Sequence, residues 1–299
     1  MDVSIIIVNY NTKQLTKACI DSIIEYTTEV TYEIILVDNA STDGSVEMFS
    51  RDTNIRFLPQ SQNLGFGKAN NIGIQVAKGK YVFLLNSDTY LCNNALKLFF
   101  DFCEGNHDKK IGAVGCLLNG KDLKRTHSFA DFPKISKVLF SRLVNPLYKL
   151  FGNTYNTLDN DSLIKDSPFK VDYVTGADIF IRKSLLDKYG AFDPEFFMYF
   201  EETEMQHRLT KAGYPSYILP APEIVHLEGS SIKKTNKRNI RKMMMVQRSQ
   251  FLYFKKTASR FSYILFRIMF FFMRIPFILF AALTKQEKKD YLRLLISKI

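Results

Sequence analysis

The chain contains no tryptophan and only four cysteines, Cys19, Cys92, Cys103 and Cys116, among its 299 residues. None of the four forms a Cys-x-x-Cys pair, which argues against a disulfide framework and against a cysteine zinc site. Free thiols fit a reducing cytosol. No G-x-x-x-x-G-K-[ST] stretch occurs, so the chain is not a P-loop NTPase. Internal repeats are lacking too. The apolar run Val3 to Val8 is short and ends in Asn-Tyr-Asn, so no signal peptide is expected.

What is present in quantity is apolar residues, at 46%, and positive charge, at +11. The first allows a full core in one large or two modest domains. The second calls for an anionic partner, whether nucleic acid, anionic lipid or a phosphorylated substrate. The excess gathers late in the chain. It begins at Lys233, Lys234, Lys237 and Arg238 and continues through Arg241, Lys242, Lys255, Lys256, Arg260, Arg267 and Arg274.

The first 120 residues alternate strand and helix. Val3–Asn9 and Tyr32–Asp38 are nearly continuous apolar runs, as in strands buried on both faces. Thr12 is placed to cap a helix to about Glu25, and Ser41 or Thr42 a shorter one ending near Ser50. Strands follow at Ile55–Leu58, Tyr81–Leu85 and Ile111–Cys116, with helices at about Gly67–Ala77 and Asn93–Cys103. This spacing predicts βαβ units and a mostly parallel sheet. Ligands of such sheets bind beyond the carboxyl ends of the strands. The polar residues collect there, as Asn9-Tyr-Asn11, Asp38-Asn39 and Asn86-Ser-Asp88. Residues 121–170 lose the pattern, apart from some helix between Ser136 and Phe151. Val171–Ile181, Ser216–Leu219 and Glu223–Leu227 restore extended structure.

Four segments carry chemistry. Asp38 can accept hydrogen bonds from a ribose hydroxyl or a base imide, although an Asx-turn after a strand is the better account of the residue taken alone. Asn63-Leu-Gly-Phe-Gly-Lys-Ala-Asn70 is a glycine loop entering a helix, where Gly65 and Gly67 permit close backbone approach and Lys68 adds charge. Asp88 sits on a strand-end turn suited to Mg²⁺ or Mn²⁺, with His226 as a second candidate ligand. Glu201, Glu202 and Glu204 open a helix behind Phe197, Tyr199 and Phe200, and Arg208 follows. Helical spacing places Glu201, Glu204 and Arg208 near one stripe and turns Glu202 elsewhere. A carboxylate there could act as a general base. The helix start favours its charged form, and the apolar wall disfavours it.

Taken in order, these segments resemble the family 2 inverting glycosyltransferases, nearest to their bacterial rhamnosyltransferase-like branch. The motifs run from Val3–Asn11 and Val37–Gly44 through Asn63–Gly67, Leu85–Thr89, Thr175–Asp178 and Phe192–Phe197. They continue through the acidic motif with Arg208 and Gly213-Tyr214 to His226-Leu-Glu-Gly-Ser-Ser231. The resemblance covers residues 1–232 and implies an α/β GT-A fold, with a nucleotide-sugar half over 1–120 and an acceptor half over 121–232. It implies that Asn9, Asn11, Asp38, Asn63, Gly65, Lys68, Asn70 and Asn86 line a nucleotide-sugar pocket. Asp88 and His226 would hold Mg²⁺ or Mn²⁺. Glu202 would be the base, with Glu201 its competitor, and Asp178, Glu204 and Arg208 would act toward the acceptor or in support. Glu202 and Glu204 stand where the family usually has aspartate, and the longer side chain moves a carboxylate by about one C–C bond. The implied partners are a nucleotide-diphosphate sugar and a glycan or lipid-linked acceptor.

The C-terminal region, 233–299, is expected to be helical and membrane-associating. Arg260, Arg267 and Arg274 recur every seven residues in an otherwise apolar stretch. That pattern predicts a cationic stripe on an interfacial helix lying on anionic lipid at the cytoplasmic face. A transmembrane span is the rival, and packing on the catalytic domain or on a second copy in a homodimer is the third reading. Basic residues interleaved with Phe, Met and Ile suit lipid better than nucleic acid. Two other functions compete with glycosyl transfer. One is a nucleotidyltransferase, whose Gly-rich basic signature is not seen. The other is a non-catalytic GT-A-like protein that binds a membrane surface.

Overall fold

The computed structural model describes residues 1–150, 164–227 and 240–297, with the side chains of 143–150 left aside. Two compact units form. One comprises Met1–Asp131, Asp161–Phe197 and Glu201–Lys234, and the other Phe132–Asn160, Met198–Phe200 and Thr235–Ile299.

The first unit is built on an 8-stranded sheet. Its parallel block contains β1 (Val3–Asn9), β2 (Tyr32–Asp38), β3 (Ile55–Pro59) and β4 (Tyr81–Asn86), in the order β3-β2-β1-β4. β1 explains the arrangement. Ile5 and Ile7 enter the core on one face, Ile6 enters the core on the other, and all three are fully buried. Helices therefore cover both sides of the sheet. These are α1 (Lys13–Tyr26), α2 (Ser45–Phe49), α3 (Phe66–Val76) and, after the short strand β5 (Thr89–Leu91), α4 (Ala95–Gly105). Beyond β4 the sheet continues through β10 (Asp178–Arg182), which is antiparallel to both neighbours, then β6 (Ala113–Cys116), β11 (Ser216–Leu219) and β8 (Phe169–Val171). Two small ribbons complete the unit: β7 (Phe129–Ala130) with β9 (Tyr173–Val174), and β5 with β12 (Ile224–His226).

Of the two helix starts expected from sequence, the first holds in position and the second is corrected. Thr12 precedes α1, but its hydroxyl donates to Asn9 Oδ1 instead of capping the helix. α2 starts two or three residues late, after Gly44 in a left-handed conformation, because Ser41 and Thr42 are tied to Asp38 and Asn11. β5 was missed. It is too short to show a period and exists through its pairing with β12.

The second unit is helical. It contains α5 (Ile135–Leu150), α8 (Ile240–Thr257), α9 (Arg260–Phe280) and α10 (Lys285–Ile296). α5 was expected within an acceptor half. It packs instead on α9, where Arg142 lies 5.7 Å from the Phe270 ring centroid. Phe251, Phe254, Phe266 and Phe270 form an edge-to-face aromatic core between α8 and α9.

The arginines of α9 overturn the expected cationic stripe. Arg274 is buried, 4.3 Å from the Phe277 ring, and donates to the Tyr291 hydroxyl. Arg267 stacks 4.1 Å over Phe251 and donates to the carbonyls of Leu295 and Ser297. A guanidinium satisfies its donors on carbonyls and aromatic faces better than on the open side of the helix. Lys233, Lys234, Lys237 and Arg238 lie outside the described residues, as do Gly229, Ser230 and Ser231.

Candidate active site

Parallel register brings the ends of β1, β2 and β4 together, with Asn9 opposite Asp38 and Val8 opposite Asn86. Asn9 is fully buried and its amide is saturated. It donates to Asp38 (3.1 Å) and Ser41 (3.0 Å), and accepts from Thr12 and Thr16 (both 2.8 Å). Asp38 is also buried, and its second oxygen accepts from the Ser41 amide at 2.8 Å, closing the Asx-type turn. The two side chains thus tie the carboxyl ends of β1 and β2 together. Asn11, in a left-handed conformation (φ 55°), accepts from the Thr42 amide and laces the first loop to the second. Between them Tyr10 stands exposed. Tyr10 has no role assigned by its sequence context, yet a large aromatic exposed at a strand end is a surface on which a base can stack.

The glycine loop does something other than expected. Gly65 has φ +84°, and a Cβ there would collide with the Phe197 carbonyl, while Gly67 would meet Phe192 Cβ at 3.1 Å and Glu201 Cβ at 3.5 Å. The Phe66 amide donates to that same Phe197 carbonyl at 2.9 Å. The glycines therefore make room for the segment leading into the acidic helix. Three asparagines hold the loop. Asn39 donates to Asn63 and accepts from the Leu64 amide, and Asn63 accepts from the Gly65 amide. Asn71 makes two hydrogen bonds to the Phe192 backbone (2.7 and 3.1 Å). Asn39 and Asn71 were not among the predicted site residues, since their partners are distant in sequence. Asn70 is buried and donates to the Phe66 carbonyl, while Lys68 is exposed at the helix start.

Asp88 and His226 meet through the β5–β12 ribbon, in which Thr89 pairs with His226. His226 Nε2 lies 3.2 Å from Asp88 Oδ1 and 3.5 Å from Asn86 Nδ2, and the Leu227 amide donates to the Asp88 carbonyl. Among the described residues no cluster of three or more His, Cys, Asp or Glu could hold a metal. A carboxylate and an imidazole side by side at the carboxyl end of β4 still fit a hard cation that takes its other ligands from phosphate and water.

The acidic helix α7 spans Glu201–Lys211. The expected stripe divides into two functions. Glu204 and Arg208 form a two-pronged pair (3.1 and 2.8 Å), and Arg208 also donates to the carbonyls of Tyr189, Gly190 and Ala191. It therefore anchors the end of α6 (Lys183–Tyr189) to α7. Glu201 is buried against the glycine loop, and its Oε2 has no hydrogen-bond partner. Glu202 is half-buried. Its Oε1 accepts from Thr203 at 3.1 Å, and its Cγ lies 3.7 Å from where a Gly176 Cβ would stand. Burial pushes both carboxyls above the usual glutamate range, and Glu202 raises Glu201 further. Burial thus outweighs the helix start. Immediately before them Tyr199 (φ 70°) and Phe200 (φ 68°) are both left-handed, a costly conformation for aromatic residues.

Asp178 is buried inside the sheet, with Oδ2 accepting from the Cys116 amide at 2.7 Å and Oδ1 unpartnered; burial lifts its carboxyl to about 7. That position supports the sheet and leaves no surface for an acceptor. A cleft of about 260 Å³ lies at the opposite ends of the strands, lined by Tyr81, Lys110, Arg182 and Tyr214, away from all of these groups.

A parallel nucleotide-type block, an acidic strand-end turn and an acidic helix against a glycine loop define a GT-A glycosyltransferase. Residues 4–190 match the family described as glycosyl transferase family 2, and the chain belongs to that family. It is 27% identical over 216 residues to the N-acetylglucosaminyl-diphospho-decaprenol L-rhamnosyltransferase of Mycobacterium tuberculosis, covering 68% of this chain and 69% of that one. It is 30% identical over 160 residues to the poly(ribitol-phosphate) beta-glucosyltransferase of Bacillus spizizenii, covering 50% of this chain and 25% of that one. Among solved structures, the mannosyltransferase PcManGT from Pyrobaculum calidifontis, in complex with GDP-Man and Mn2+, superposes with a TM-score of 0.56 at 15% identity, covering 99% of this chain and 76% of that one. S. aureus TarS 1-349 superposes with a TM-score of 0.52 at 17% identity, covering 99% and 71%. These two likenesses concern the fold.

Proposed function

We propose that the protein transfers a sugar from a nucleotide-diphosphate sugar, dTDP-rhamnose or a UDP-sugar, to a lipid-linked or glycan acceptor in cell-surface polysaccharide synthesis. The observation that carries this reading is the Asp88–His226 pair, 3.2 Å apart beyond the carboxyl end of β4. The mycobacterial relative's name supports a rhamnosyl donor and a polyprenyl-diphosphate acceptor.

In this reading Tyr10 stacks on the base, and the Asn9–Asp38–Ser41 network ties the carboxyl ends of β1 and β2 together. Asp88 and His226 would hold Mg²⁺ or Mn²⁺, which would supply positive charge to the diphosphate leaving group. Glu202 is the base. It is the carboxylate of the pair that an acceptor can reach, since Glu201 is 3% exposed and faces the glycine loop. As the acceptor oxygen attacks the anomeric carbon, its proton passes to Glu202, the bond from that carbon to the diphosphate oxygen breaks, and configuration inverts. Glu201, Glu204 and Arg208 position the helix, and Asp178 supports the sheet behind it.

The test is nucleoside diphosphate release across a panel of nucleotide sugars, with and without a polyprenyl-diphosphate acceptor. Acceptor-stimulated release from one donor is the expected result. Nucleotidyl transfer, or no turnover with any donor, would sink the proposal.

A further inference from the structure

We infer that α9 docks flat on an anionic bilayer, with its apolar face in the acyl region and its long axis in the membrane plane. At 100° per residue, Phe261, Ile264, Ile268, Phe272 and Leu279 fall on one side of the helix. All five are exposed, Phe272 at 62%, and Phe280 at the end is 85% exposed. The opposite side holds Phe266, Phe270 and Arg274, which are buried in the helical unit. Because Arg267 and Arg274 fold inward onto Phe251, Phe277 and the end of α10, the exposed face carries no charge of its own.

Charge selects the occupant. Lys255, Lys256 and Arg260 are exposed at the amino end of this face, and Lys285 and Lys289 at its carboxyl end. A second copy, paired parallel or antiparallel, would set cations against cations. Anionic headgroups would meet cations at both ends while the chains beneath them take up the aromatic and aliphatic groups. The neighbouring helix selects the orientation. α10 runs back along α9, so that Arg267 reaches Leu295 and Arg274 reaches Tyr291. α10 carries Lys285, Lys289, Asp290 and Arg293. α9 is long and apolar enough to cross a membrane, with 21 residues. A crossing would drag α10 into hydrocarbon, at about 3 kcal/mol for each central charge. Lying flat leaves α10 in water.

This inference deepens the proposal of a lipid-linked acceptor, and empty vesicles test it without any transfer reaction. The full-length protein should float with vesicles containing 30% phosphatidylglycerol, by analogy with other interfacial helices. Half-molar salt should weaken the binding several-fold without abolishing it, and alkaline carbonate should release it. The double variant I268D/F272D should lose at least tenfold in partitioning while keeping its melting temperature and nucleotide-sugar turnover. Three outcomes would overturn the inference: no flotation of the wild type, unchanged binding of the double variant, or resistance to carbonate, which would mean a span. A solution dimer that the variant dissociates, with no vesicle binding, would assign the face to a second copy.

Discussion

The two units handle charge in opposite ways. In the sheet-based unit, carboxylates are drawn to the carboxyl ends of strands and to the first turn of α7, and each sits beside a designated neighbour. Asp88 has His226, Glu204 has Arg208, and Glu201 has Glu202. In the helical unit, Arg267 and Arg274 of α9 turn inward onto aromatic rings, backbone carbonyls and the Tyr291 hydroxyl and leave an uncharged face outside. The comparison teaches what buried charge is for. In the first unit it raises a carboxyl and sets a carboxylate beside an imidazole, the groups to which the proposed reaction assigns its base and its cation. In the second it removes charge from a surface.

Four substitutions sharpen this contrast, starting with the largest effect. Asp88→Ala should abolish transfer and metal dependence together, since only His226 would be left to hold the cation. Full activity of the variant after chelator treatment would break the assignment. Glu202→Gln should retain donor binding but lower turnover by about two to four orders of magnitude. Because its carboxyl is raised above the usual 4.5, the wild-type rate should fall with decreasing pH already above that value. A dead Glu201→Gln beside a nearly normal Glu202→Gln would reverse the two roles.

The third and fourth compare arginines directly by denaturant unfolding. Arg208→Met leaves Glu204 uncompensated and frees three carbonyls at the end of α6. It should cost about 2–3 kcal/mol, less than for a fully buried pair because Arg208 is 30% exposed. Arg274→Met strands no carboxylate and gives up aromatic stacking and hydrogen bonds to the Tyr291 hydroxyl and the Met243 sulfur, so its cost should be about 1 kcal/mol. Equal costs would show that both units treat their arginines alike.

Much of the sheet-based unit was legible. β1 and β2 carry their own signature in runs of Ile, Leu and Val, because a strand buried on both faces must be apolar throughout. The acidic helix showed its start in three glutamates and its end in Gly213. Ribbons such as β5–β12 were not legible, since a three-residue strand has no period and gains its hydrogen bonds from a partner 130-odd residues away.

The sequence by itself determined the strand–helix alternation, the polar strand ends, and the presence of a carboxylate pair behind an aromatic wall. It determined these because periodicity, capping and chain reversal are local. The tertiary structure decided which carboxylate is reachable, why Gly65 must be glycine, that Arg208 serves as an anchor, and which way the arginines of α9 point. A residue's environment is set by what other segments bring to it. The Phe197 carbonyl over Gly65, the carbonyls at the end of α6 and the rings of Phe251 and Tyr291 are all distant in sequence and adjacent only once the chain has folded.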